Sequence, residues 1–336
     1  MRVHLFLFKR FLYLIPVLLA MCFLCFLITY YIPGDPARAA LGYDASEDML
    51  RAFRSTHALD RPFHVQFLRY LGRLIRVDLG RSLLTGNPVI KDLAKRLPAT
   101  LELTLSSVLI GTIISIPIGV LAAIRRGRSI DLLIRIPSFL LLATPVFWSG
   151  ILFQLIFSAK LGCLPFGGRL TEAGSLIPIT GFLTIDALLR REPALFWDAT
   201  KHLIMPASVL SAMLLAIVTR TVRSSMLEVL SEQYIVVARA KGVPERAVVF
   251  RHALRNAFIP VITVIGLRFG ELLAGAVVTE TVFQWPGMGQ YAVMAMSRLD
   301  FTAIMGFTLT VCVMFAFVNL MVDLSYSLLD PRVKLD

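Results

Sequence analysis

Charge is scarce in this chain. Of 336 residues, 17% are Asp, Glu, Lys or Arg and 57% are hydrophobic. That balance excludes an ordinary soluble domain, in which about a quarter of residues are charged. Nucleotide chemistry is missing as well. No G-x-x-x-x-G-K-[ST] run occurs, so the chain cannot cradle phosphates by that device. There is no H-E-x-x-H and no G-x-S-x-G. The five histidines (His4, His57, His64, His202 and His252) never pair at metal-ligand spacing. Cysteine is sparse too. Cys22, Cys25 and Cys312 fall in apolar runs and Cys163 stands alone. Cys22-x-x-Cys25 is half of a zinc pattern without a second ligand pair, so it reads as buried apolar packing. The expectation is a chain without a catalytic site, metal or disulfide framework.

What the sequence has instead is long uncharged runs. Phe11–Ile32, Leu103–Ile124, Ile136–Ala159 and Phe301–Val322 each reach roughly the 20 residues that cross a hydrocarbon layer of about 30 Å. Leu203–Thr219 is shorter, and Ala257–Val282 is apolar apart from Arg268, Glu271 and Glu280. This predicts an all-α integral membrane protein with six spans. Lys9 and Arg10 before the first run resemble a signal peptide. However, the run is too long and ends at Ile32-Pro-Gly-Asp-Pro36 without a small-x-small cleavage site, which predicts an uncleaved helix.

Three regions follow. Residues 1–32 form a tail and first span, and residues 33–98 a long loop. Residues 97–330 carry the other spans, at about 99–124, 136–159, 203–220, 257–282 and 301–323, with a connecting loop at 220–256. The net charge of +12 fits basic loops on the cytoplasmic side better than nucleic-acid binding. With six spans and both termini on one side, that side carries 16 Lys and Arg against 17 on the other. The loop 33–98 exceeds the length of about 60 residues to which the positive-inside rule applies. Its eleven basic residues are offset by seven acidic ones, and without it the count is 16 against 6. Both termini are therefore expected in the cytoplasm.

The long outer loop carries helical signals. Ser46 precedes Glu47 and Asp48, which favour a helix N-terminus. Phe63, Phe67, Tyr70, Leu71, Leu74 and Ile75 then recur at helical spacing, with Arg69, Arg73 and Arg76 on another face. This predicts an amphipathic helix lying on the membrane or over the spans.

Arg268 and Glu271 are three apart and share a helix face inside a span. Each costs about 2.5–3.5 kcal/mol at mid-bilayer unless paired or wetted. Lining a polar translocation path and forming a structural pair are both open readings. Gly266 and Gly270 make a G-x-x-x-G on the same helix, followed by Ala274 and Gly275, which marks a close helix interface. Glu280 lies near the end of the run, where solvent can reach it.

The stretch "MLEVLSEQYIVVARAKGVPERAVVFRHALRN" is helical on both sides of Gly242. Gly242 suits a left-handed C′ position, Pro244 the first turn of a following helix, and Glu245 its positive end. A helix, a tight turn and a helix are therefore predicted between spans four and five. Short tethers keep its basic residues from reaching a DNA groove.

These residues resemble a known family. "ARAKG" followed by "RHALRNAFIP" is similar to the cytoplasmic motif of ABC importer permeases of the dipeptide and oligopeptide class. "IPGDP" (32–36), "DLGRSL" (78–83), "RSSMLEVL" (223–230), "ETVFQWPGMG" (280–289) and "VDLSYSLLDPRV" (322–333) are further landmarks of that class. The general importer motif, E-A-A-x-x-x-G with a later I-x-L-P, is only partly present: Val236-Val237-Ala238 stand for E-A-A, and Arg255 replaces the proline.

The resemblance implies a type I importer permease fold in a bacterial inner membrane. It implies that Ala238, Arg239, Ala240, Lys241, Gly242, Val243, Pro244, Glu245 and Arg246 form the contact with an ATPase, with Gly242 as hinge. It also implies four partner proteins besides membrane lipid: a second homologous permease, two ATP-binding subunits and an extracytoplasmic substrate-binding protein. ATP and Mg would be used by the partners, with no cofactor on this chain. "TGFLTIDALL" (180–189) looks most like dipeptide and glutathione versions. Nickel chelates and oligosaccharides are alternative cargoes of this architecture. A free-standing carrier or channel is the reading from a different class.

Overall fold

The computed structural model describes residues 2–31, 36–42, 45–56, 60–172, 174 and 178–329. Most of "IPGDP" and the end of "VDLSYSLLDPRV" lie outside the described residues, as do the side chains of Ala274 and Gly275. Among the described residues there is no strand, only an isolated bridge between Arg81 and Pro88.

The described residues fold into helices, and the predicted apolar runs lie within them except at Thr144–Pro145. In chain order these are α1 (Arg2–Tyr31), α2 (Pro36–Leu41), α3 (Glu47–Thr56), α4 (Phe63–Ile75) and α5 (Val89–Ile124). Next come α6 (Ser129–Ala143), α7 (Val146–Phe153), α8 (Leu183–Leu189) and α9 (Pro193–Leu230). The chain ends with α10 (Gln233–Ala240), α11 (Glu245–Ala247), α12 (Leu254–Val282), α13 (Met288–Ser297) and α14 (Phe301–Leu329). Among the described residues four helices are long and apolar enough to cross a membrane, and five if α6 and the helix Val146–Lys160 count as one bent span. The apolar part of α1, Leu12–Ile28, is shorter but still near the lower limit for a span.

The third run departs from expectation. Ile136–Ala159 is not one straight helix: α6 and the helix from Val146 to Lys160 meet at 104°. The cause is Pro145. It has no N–H to continue the ladder, and it forces Thr144 out of helical geometry, to φ −87 and ψ 124. Beyond α7 the helix widens to a π-helix over Gln154–Lys160. The buried Gln154 amide donates there to the carbonyls of Phe166 (2.9 Å) and Val282 (3.0 Å), so it satisfies the end of α12.

The described chain forms two compact units. The first comprises residues 1–100 and 286–316. In it α4 lies over the spans, with Phe63, Phe67, Tyr70, Leu71 and Leu74 packed around Cys22, Phe26 and Leu309. Ile75, placed on that face by spacing, is 84% exposed instead, because the helix ends there. Asp300 is fully buried before α14 and accepts hydrogen bonds from Ser82 Oγ (2.6 Å), Leu84 N (3.0 Å) and Ala303 N (3.1 Å). It therefore caps the helix and holds the "DLGRSL" segment in one step.

The second unit comprises residues 101–285 and 317–336, and its central contact is α9 against α12 and α6. Small residues let the helices approach. A Cβ on Gly119 would meet Val222 Cβ at 2.7 Å and the Thr219 carbonyl at 2.8 Å. A Cβ on Gly266 would lie 2.0 Å from Val322, so part of the G-x-x-x-G does mark a close interface.

Gly119→Leu is expected to lower stability by about 1–3 kcal/mol, because a backbone carbonyl cannot move aside as a side chain tip can. Melting of the purified protein in detergent would show this as a lower midpoint. An unchanged midpoint would mean that α5 and α9 are not in register at this position.

Candidate functional site

The predicted helix–turn–helix is present in altered form. α9 ends at Leu230, Ser231 and Glu232 turn the chain, and α10 follows as a short separate helix. Ala238, Arg239 and Ala240 form its last turn and Lys241 caps it. Gly242 has φ +74, a left-handed conformation that a Cβ would penalise. Its N–H donates to Arg239 O (2.9 Å) and that of Val243 to Ala238 O (3.2 Å), which closes the helix end. Pro244 precedes the next helix instead of sitting in its first turn, since its ψ of 139 is extended. Glu245 opens that helix, as expected.

The second helix of the pair is not separate from span five. α11 runs into a π-helix at Val248–Ala253 and then directly into α12. Residues 245–282 therefore form one continuous helical rod. Arg239 locks the turn to it, donating to both carboxylate oxygens of Glu245 at 3.0 and 2.7 Å. Asn256 ties α10 to the rod by donating to Tyr234 Oη at 2.7 Å. Ile235 is buried as an anchor, while Tyr234, Val236, Val237 and Phe250 are 41–58% exposed. Arg239, Lys241 and Arg246 are exposed beside them. This is an apolar and basic surface on a rigid mount, suited to packing against another protein and without groups for chemistry.

Arg268 and Glu271 pair with each other on α12, with Glu271 half exposed. They do not line a cavity of about 230 Å³ in this unit, which is bounded by Ile134, Arg135, Ser138, Phe139, Thr219 and Arg220. Sequence reasoning passed over Arg135 and Arg220 because basic residues flanking an apolar run are what any span end shows. It also missed Arg223. Its guanidinium reaches back to Asp131 with two hydrogen bonds of 2.8 Å, and Asp131 in turn accepts from Gly127 N.

A second polar cluster lies at the far end of this unit's helices. Glu102 on α5 is buried and accepts from Arg169 and from Thr184 N (2.9 Å) and Oγ1 (2.7 Å). Arg169 also donates to Gly181 O (2.8 Å) and lies over the Trp285 ring, 5.3 Å from its centre. Glu280, expected near solvent, is fully buried instead. The chain after α12 folds back: Trp285 N donates to Glu280 O at 2.8 Å, and Phe283 and Trp285 are buried. Asp186 organises the adjacent loop. Burial pushes its pKa up, but hydrogen bonds from Thr180 Oγ1 and the amides of Ile179, Thr180 and Gly181 outweigh that and hold it low.

Two family models match. That of the binding-protein-dependent transport system inner membrane component covers residues 115–335, and that of its N-terminal region covers residues 3–104. The chain belongs to this family. It is thus a multi-pass inner-membrane transport permease. It is 46% identical to the probable D,D-dipeptide transport system permease protein DdpB of Escherichia coli (strain K12), across 95% of this chain and 94% of that one. It is 42% identical to the di/tripeptide transport system permease protein DppB of Pseudomonas aeruginosa (strain UCBPP-PA14), covering 96% of both. The glutathione transport system permease protein GsiC of Salmonella paratyphi A is 37% identical over 97% of each chain. Among solved structures, an inward-facing MetNI methionine ABC transporter chain aligns with a TM-score of 0.54 at 15% identity, over 72% of this chain and 97% of that one. This is the type I importer permease fold expected from the sequence.

Breaking the Glu102–Arg169 pair from one side should be costly, because it leaves a buried charge alone. Glu102→Ala is expected to destabilise by about 3–5 kcal/mol, read as a lowered melting midpoint. A near-neutral result would show that the pair is solvated. At Asp186 the folded pKa lies below the ordinary 3.8. The stabilisation is therefore present above that value and lost as pH falls through the lowered one. Hydrogen exchange at the amides of residues 179–181 should stay slow from pH 7 to 5, and should become fast in Asp186→Asn at any pH in that window.

Proposed function

We propose that this chain is the transmembrane permease subunit of an ATP-driven importer of dipeptides or other short peptides. The observation that carries the reading is the α10–Gly242–α11 unit. It presents exposed apolar and basic residues on a rigid mount, in a chain that has no nucleotide motif of its own. Such a surface serves a partner that does have one. The partners would be two ATP-binding subunits, which use ATP and Mg, a second homologous permease and an extracytoplasmic substrate-binding protein. This chain would bind no cofactor and catalyse nothing. The charge balance of the short loops supports placing both termini in the cytoplasm.

The mechanism follows from the continuous helix. ATP-driven closure of the partners would draw the α10 surfaces together. Gly242 and the Arg239–Glu245 pair keep α10 and the start of the rod in fixed register, so the displacement enters the rod at Glu245 and passes to its far end at Val282. Widened π-turns such as Val248–Ala253 recur at functional sites, and here the widening lies where the rod leaves the loop. The spans then open to one side and the other in turn. Peptide cargo is supported by the names of the relatives: a D,D-dipeptide system, a di/tripeptide system and several dipeptide systems. Arg268 and Glu271 remain candidates for the path, joined by Arg135 and Arg220 at the cavity.

The first test is affinity purification of the tagged protein from its own membrane, with mass spectrometry of what accompanies it. Two ATPase chains and a second permease are expected; a stable homo-oligomer alone would point to a free-standing carrier. Uptake of labelled Ala-Ala, D-Ala-D-Ala and glutathione then orders the cargoes. Gly242→Pro should abolish uptake while leaving insertion intact, since proline is confined near φ −65 and lacks the N–H used here. Gly242→Ala, costing about 1–2 kcal/mol of left-handed strain, should only reduce it. Normal uptake by the proline variant would defeat the coupling assignment.

A further inference from the structure

A cavity of about 890 Å³ lies in the first unit, lined by none of the residues assigned above to coupling or path. Its composition is unusual. Arg69, Arg73, Arg76 and Arg81 line it, with Asp78 as the only acidic residue. Arg69 and Arg73 are four apart on one face of α4, and Arg76 caps the end of that helix. None of the four guanidiniums makes an ion pair among the described residues. Aromatic and apolar side chains line it too: Phe26, Tyr30, Phe53, Phe301 and Met305. The hydroxyl of Tyr70, another lining residue and 3% exposed, has no hydrogen-bond partner among the described residues. Such orphans call for a polar group that the protein does not supply.

The depth of the cavity identifies the occupant. Tyr30 is one residue from the end of α1 and Phe301 is the first residue of α14. The mouth therefore lies at span ends, where a membrane meets water. Phe26 and Met305 lie five and four residues inside those helices, roughly 6–8 Å along the axis. That is the depth of the headgroup–acyl boundary. Guanidiniums at the rim and aromatic rings below match a molecule with a phosphate above a hydrocarbon chain. We propose that this cavity binds the headgroup of an acidic phospholipid, with the arginines on the phosphate and Phe26, Tyr30 and Phe301 on the first acyl carbons. The site would fasten α4 to the spans, and it does not depend on which cargo is carried.

The test uses the full chain with its co-purifying subunits, delipidated in mild detergent. It is titrated with dioleoyl phosphatidylglycerol or dioleoyl phosphatidylcholine, and bound lipid is counted by native mass spectrometry. Phosphatidylglycerol should bind preferentially, and the R69Q/R73Q/R76Q variant should weaken it by about tenfold or more. The corresponding triple lysine variant should keep most of the binding, since it retains charge without the bidentate fork. R126Q, outside the cavity, should change nothing. A glutamine variant that melts like wild type in phosphatidylcholine excludes misfolding as the cause, and the lysine variant carries the test if it does not. Undiminished binding of phosphatidylglycerol by a folded glutamine variant would overturn the proposal. So would inorganic phosphate protecting the wild type from thermal unfolding as well as the lipid does, which would make this a free-anion site. A loss of binding-protein affinity with lipid binding intact would make it a protein-docking surface instead.

Discussion

A hydrocarbon layer offers no hydrogen bonds, so each segment inside it must satisfy its own backbone. Most of what this structure does follows from that constraint. The long helices of the chain are its answer in the layer, and every departure from them carries a specific repair. At Thr144–Pro145 the ladder stops and the chain turns by 104°. Just beyond it, Gln154 donates its side-chain amide to the carbonyl of Val282 at the end of α12 and to that of Phe166 in a loop. At Gly242 the turn closes on the last carbonyls of α10. Asp300 does the same for the first amides of α14.

The same constraint sorts the charges. Two buried carboxylates pair with arginines, Glu102 with Arg169 and Asp131 with Arg223, while Asp186 and Asp300 are held by hydroxyl and amide hydrogen bonds. The first pair joins α5 to a connecting segment and the second joins α6 to α9. Arg268 with Glu271 is the exception along the span, and it neutralises itself within one helical turn. Rigid ends matter for the proposed coupling. A lever works only if its two attachments do not slip, and the Arg239–Glu245 pair with the left-handed Gly242 leaves the turn little freedom.

Much of this was legible in the residues. Uncharged runs of span length announce helices, because no other local structure survives in that solvent. Gly242 announced a helix end, because left-handed backbone is cheap only without a Cβ. The aromatic face of α4 announced its packing over spans, though not at Ile75, where the helix stops. The landmarks around Gly242 and Trp285 led to the family. What misled was punctuation read too lightly. Pro145 sat in plain view within an apolar run, and composition outweighed it. Pro244 stands one position before its helix and not in its first turn.

By itself the sequence determined the all-helical class, the position of the apolar runs, the turn between spans four and five and the family, since each rests on local spacing or on residue identity. The tertiary structure alone decided which charges meet. Glu102 and Arg169 are far apart in the chain, as are Asp131 and Arg223, and nothing in their neighbours marks them as partners. It alone buried Glu280, and it alone gathered four arginines and several aromatic rings around one cavity. Contacts between distant residues depend on how helices pack, and packing depends on the shapes of all the side chains at once. No short window of sequence contains that information.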